Sequence, residues 1–113
     1  EEIKAKILAH PTGRLIGKRD GIDADWQQIF DFCQKNNKAL EINSYTDRLD
    51  LAEIMVKRAV ENKNKLIINT DSHHKDQLEL IDYGVSVARR GWAEKNDILN
   101  TLPYNVFAEW LKS

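Results

Sequence analysis

Asp71 and His73 stand one residue apart at the end of a short apolar run, Leu66-Ile67-Ile68-Asn69-Thr70. Side chains alternate along an extended chain, so this spacing puts a carboxylate and an imidazole on the same side. An oxygen and a nitrogen donor presented together suit a divalent ion such as zinc, manganese or iron. The same pair also fits a carboxylate that fixes a histidine tautomer, or an N-cap for the next helix. His10 opens a His-Pro-Thr-Gly-Arg run and adds a second imidazole at the end of another extended segment. Together the three form an incipient metal cluster.

Other residues at segment ends extend this set. Asn43 closes the run Ala39-Leu40-Glu41-Ile42-Asn43, where it either orients a metal ligand from behind or simply ends a strand. Arg14, Arg48 and Arg89 are candidates to grip phosphate, because guanidinium matches phosphate bidentately. A solvated or structural role is the alternative for each. Arg90 reads as structural, Lys18 and Arg19 as a solvated loop, and His74 as a surface residue pointing away from His73. Glu41 alternates against Leu40 and Ile42, so a buried carboxylate there needs a partner; it is structural or lines an interior. Cys33, Trp92 and Trp110 read as core residues.

The elements that must position these residues alternate between strand and helix. Residues 3–9 (Ile-Lys-Ala-Lys-Ile-Leu-Ala) read as a strand stopped by Pro11, which restricts His10 to an extended conformation. A long glycine-bearing loop follows to Asp23. Asp25, with Gln28 three residues on, has capping-box character and starts a helix with Trp26, Ile29, Phe30 and Cys33 on one face, ended by Asn36-Asn37. The second strand is 39–43. Asp50 and Glu53 signal a second helix to about Asn62, with Ala52, Met55, Val56 and Ala59 inward. The central strand, 66–70, leads to a helix over 76–83 that carries Leu78 and Ile81 inward and stops at Gly84. Val85-Ser86-Val87-Ala88 reads as a fourth strand ending in Arg89. Two helices close the chain: 93–100, then 104–111, with Val106, Phe107, Trp110 and Leu111 buried.

This order predicts an α/β fold with parallel strands. Ligands of such folds gather beyond the C-terminal ends of strands, where His10, Asn43, Asp71 with His73, and Arg89 all fall. The 113 residues allow one domain at most. A net charge of −1 provides no global basic field, so any phosphate recognition has to be local. No run of 18 apolar residues suggests a membrane span. The single cysteine allows no internal disulfide and points to a reducing, cytoplasmic setting. The absence of an initiator Met suggests a piece of something longer.

Six runs in order carry a family resemblance: AHPTGR (9–14), LEIN (40–43), RLDL (48–51), INTDSH (68–73), YGVSVARRGW (83–92) and ILNTLP (98–103). The chain resembles the C-terminal part of a PHP (polymerase and histidinol phosphatase) domain, and most closely the PHP domain attached to bacterial and archaeal family X DNA polymerases. The resemblance covers nearly the whole chain. It implies part of a distorted (β/α)7 barrel that holds a trinuclear manganese, zinc or iron centre. His10, Asp71 and His73 match the family's ligand positions and would be its metal-binding, catalytic residues. The implied activity is metal-dependent phosphoester hydrolysis at DNA ends, 3′→5′ exonuclease or related end-processing, alongside a polymerase core. The family's first motif, an H-x-H pair, and its further ligands have no counterpart here. The implied partners are therefore DNA, the polymerase core, and either a missing barrel half or a second copy pairing along an open strand edge. Two other functions remain open: a non-catalytic structural or DNA-binding remnant, and a phosphatase for a small monoester.

Overall fold

A computed structural model describes residues 4–113. Three parallel strands lie in the order β1-β2-β3: β1 is Ile7–Leu8, β2 Ala39–Asn43 and β3 Lys65–Asn69. β2 and β3 pair in full register, from Ala39 with Lys65 to Asn43 with Asn69, while β1 pairs only through Ile7–Ala39 and Leu8–Leu40. The strand expected over residues 3–9 is thus short, and Ile3 lies outside the described residues.

The helices lie mainly on one face. α1 (Trp26–Lys35), α2 (Glu53–Glu61) and α3 (Ile81–Arg90) contribute Phe30, Cys33, Val56, Ala59 and Ala88 to one core with Leu40, Ile42, Leu66 and Ile68. The alternate strand positions face the other way. There, Ala39 and Ile67 meet Leu99, with Phe107 and Trp110 of α4 (Tyr104–Lys112) packed against them. Farther along the same strand face come Glu41, Asn43 and Asn69, which are polar. A doubly wound sheet has helices on both faces; crossover helices all on one side are the arrangement of a barrel wall. The sheet is therefore compatible with a barrel segment, with the polar row on the face opposite α1, α2 and α3.

Several expectations hold. Asp25 caps α1, accepting from Gln28 N at 3.1 Å, and Met55 packs against the core as filler. Others need correction. Residues 85–88 form no strand; they lie inside α3, because Ile81, Val85 and Ala88 recur at helical spacing and all face the core. Gly84 does not stop a helix but sits buried within this one. A Cβ there would lie 2.1 Å from Ser44 Oγ and 2.6 Å from Ile68 Cγ2, so only glycine lets α3 come this close to the sheet.

The segment before α3 is a 3-10 helix, Lys75–Leu80, and it leaves Leu78 59% exposed rather than inward. Residues 93–100 form no continuous helix but two short 3-10 turns, Lys95–Asp97 and Leu99–Thr101. Asp50 does not begin α2, whose N-cap is Ala52. Trp92 is 72% exposed beneath Lys57 Nζ, 4.6 Å from its ring centroid, and is no core anchor. On α4 only Phe107 and Trp110 turn inward, while Val106 and Leu111 stay exposed.

Candidate functional site at the strand ends

The site grows from the ends of the three strands. Beyond β3 the backbone leaves the extended region, and Asp71 takes a left-handed φ of 54°. Beyond β1, His10 is likewise left-handed, at φ 28°, and not extended as the following Pro11 led one to expect. Such backbone is costly for residues with a Cβ and persists where surrounding contacts fix it.

Asp71 Oδ2 accepts from Asn43 Nδ2 at 3.2 Å and lies 3.8 Å from Arg48 Nε. The Asn43 amide is oriented by its other end, since Oδ1 accepts from Tyr45 N at 3.0 Å. Its nitrogen is left facing carboxylates, and it reaches Glu41 Oε1 at 3.2 Å as well. Glu41 is only 7% exposed. It also accepts from His10 N at 2.9 Å and from Asn69 Nδ2 at 2.9 Å. His10, Asn43 and Asp71 thus share one hydrogen-bonded cluster, although His10 enters it through its backbone.

A second buried carboxylate holds the loop that follows His10. Asp50 is fully buried and accepts from Thr12 N at 3.0 Å and Gly13 N at 2.9 Å. Arg14 ties this loop to the next, donating from Nε to Arg48 O at 2.7 Å and from Nη2 to Leu49 O. Through these two bonds to backbone carbonyls, Arg14 braces two loops. Arg48 differs: it has an ion pair with Asp71, and its Nη1 is buried without a hydrogen-bond partner among the described residues.

His73 and Arg89 stand apart from this cluster. The left-handed turn at Asp71 breaks the alternation that would have aligned His73 with it. His73 is exposed, and its backbone N donates to Gln77 Oε1 at 2.7 Å. His74 is a surface residue whose Nδ1 accepts from Asp76 N. Arg89 lies exposed in the last turn of α3 instead of at a strand end. Its neighbour Arg90 pairs with Glu53 at 3.9 Å. Cys33 is buried, and that burial pushes its thiol up, away from the thiolate a nucleophile needs.

By donor type, His10, Asp71 and His73 suit a divalent ion. By placement they are incomplete: among the described residues no three histidine, cysteine, aspartate or glutamate side chains stand close enough to hold one. The two carboxylates that organise the site, Glu41 and Asp50, are absent from the set expected of the sequence. Glu41 had a visible signal, a charge between two apolar residues in a buried strand. Asp50 had none, because an Asp-x-x-Glu spacing reads as a helix start.

No protein-family model matches the chain. Over 94 residues it is 45% identical to the DNA polymerase/3'-5' exonuclease PolX of Bacillus subtilis (strain 168). That match takes in 83% of this chain and 16% of the relative, so the chain spans about a sixth of that protein's length.

Proposed function

We propose that this chain is the C-terminal part of a PHP module in a family X DNA polymerase. In the full-length protein, it would take part in metal-dependent 3′→5′ hydrolysis of DNA ends. The observation that carries this reading is the 45% identity to a protein named for both polymerase and 3'-5' exonuclease activity. The cluster at the strand ends supports it, because Asn43, Asp71 and Arg48 converge where α/β folds place their ligands.

Divalent ions, when bound, supply Lewis acidity toward a phosphoester. Asp71 would be the anionic donor for them, and the imidazoles of His10 and His73 would be nitrogen donors. The remaining donors come from residues beyond this chain. Arg48 is the cation for a phosphate oxygen, its guanidinium held beside the strand ends by the Asp71 carboxylate. Asn43 fixes the orientation of Asp71. Arg14 contributes by bracing the loops, and Arg89 lies on α3 rather than at a strand end.

The partners follow. DNA is the substrate, and the polymerase core belongs to the same protein. The rest of the barrel adds to the open edge of β1. Beside that edge, an apolar cavity of about 460 Å³ lined by Ala5, Ile7, Leu8, Ile29 and Phe32 is suited to receive it.

Cleavage of an end-labelled single-stranded oligonucleotide with and without Mn²⁺ tests this reading, comparing the full-length protein with its Asp71→Asn variant. Manganese-dependent shortening from the 3′ end, lost in the variant, is the expected result. An inert full-length protein would favour the second reading, a DNA-binding remnant without hydrolysis. The lack of three converging donors among the described residues is the observation in its favour.

A further inference from the structure

Glu41 is a buried carboxylate that none of the roles above employs. Stability does not call for it: an apolar side chain of similar size commonly serves a buried position as well as a charge does. What Glu41 does is accept three hydrogen bonds from three segments. Oε1 takes His10 N at 2.9 Å and Asn43 Nδ2 at 3.2 Å, and Oε2 takes Asn69 Nδ2 at 2.9 Å. His10 N belongs to a left-handed residue, and Asn43 carries the contact onward to Asp71, the other left-handed residue of the site. The Asn43 amide cannot turn around, because Tyr45 N holds its oxygen.

We infer that Glu41 is the positioning residue of this site: it sets the backbone of His10 and, through Asn43, the carboxylate of Asp71. It touches neither substrate nor ion. The inference rests on the metal-dependent reading above and identifies which group prepares the donors. Groups that orient metal ligands from behind affect affinity strongly, commonly by tenfold to a hundredfold when removed.

The test is Mn²⁺ titration by calorimetry on the full-length protein, with thermal unfolding recorded alongside. The variants are Glu41→Ala, Glu41→Gln, Asn43→Ala and Asp71→Asn. Glu41→Ala is expected to weaken Mn²⁺ binding by about tenfold to a hundredfold. Glu41→Gln should recover most of that loss. Its one oxygen still serves His10 N and Asn43, and Asn69 can turn its amide to meet the new nitrogen. A merely structural role would shift the melting temperature and leave the affinity of the folded protein unchanged.

The inference is overturned if folded Glu41→Ala binds Mn²⁺ like the parent, whatever its melting temperature. If Glu41→Ala does not fold, Asn43→Ala decides, and parental affinity there overturns it equally. Asp71→Asn separates the two levels. If that variant binds Mn²⁺ unchanged, the metal reading itself fails and takes this inference with it. If only the Glu41 and Asn43 variants match the parent, the metal reading stands and Glu41 has no positioning role.

Discussion

At the scale of single residues, the site depends on carboxylates that accept from backbone and side-chain amides. Asp50 is the clearest case, because it is fully buried and holds Thr12 N and Gly13 N in place. Hydrogen bonds to a charged group contribute about 1.5–3 kcal/mol each, and their loss leaves buried donors unpaired. Asp50→Ala should therefore cost about 3 kcal/mol in urea unfolding. Asp50→Asn should cost less, since one acceptor oxygen remains; equal stability of Asp50→Ala and the parent would refute this account. Cys33 gives a prediction of opposite character. Burial raises its folded pKa above the unfolded value, so its contribution to stability is intact below the unfolded pKa and is lost as pH rises through the folded one. Iodoacetamide at pH 8 should label the native thiol slowly and the urea-unfolded thiol quickly. Rapid native labelling would mean that Cys33 is not held as described.

At the scale of elements, Gly84 is both the hinge of the packing and the source of the main misreading. A glycine after Tyr83 resembles a helix stop, and the β-branched Val85 and Val87 after it resemble a strand. The helical stripe of Ile81, Val85 and Ala88 was there to be read, but it runs straight through the glycine. What made the glycine necessary was a tertiary contact with Ser44 and Ile68, more than fifteen residues away in sequence, which no local pattern shows. By contrast, α1 was legible from its local cap and stripe, and α2, β2 and β3 from their local periodicities, although α2's start was misplaced at Asp50. The left-handed turn at Asp71 was not, and with it went the alignment of His73. Gly84→Ala would gain about 1 kcal/mol in helix propensity. It would also force Ser44 and Ile68 from a Cβ at 2.1 and 2.6 Å, and overpacking of this kind costs about 1–3 kcal/mol. A net loss of stability is expected in thermal unfolding. A more stable variant would show that α3 can move off the sheet freely.

At the scale of the whole molecule, the sheet is covered by α1–α3 on one face and bears a polar row on the other. That row, Glu41, Asn43 and Asn69, is hydrogen-bonded within the chain, while among the described residues no three histidine, cysteine, aspartate or glutamate side chains stand close enough to hold an ion. Organisation and completeness are therefore separable properties here. The 113 residues alone should keep the Glu41–Asn43–Asp71 cluster yet bind Mn²⁺ at least tenfold more weakly than the full-length protein, because ligands left to water cost affinity on that scale or more. They should also leave a labelled oligonucleotide uncut under conditions where the full-length protein shortens it. Calorimetry on both proteins, beside the cleavage assay, checks the two halves of this expectation. Equal Mn²⁺ affinity would mean that the three strand ends already hold a whole site. Cleavage by the short chain would mean that the residues beyond it are dispensable for the chemistry.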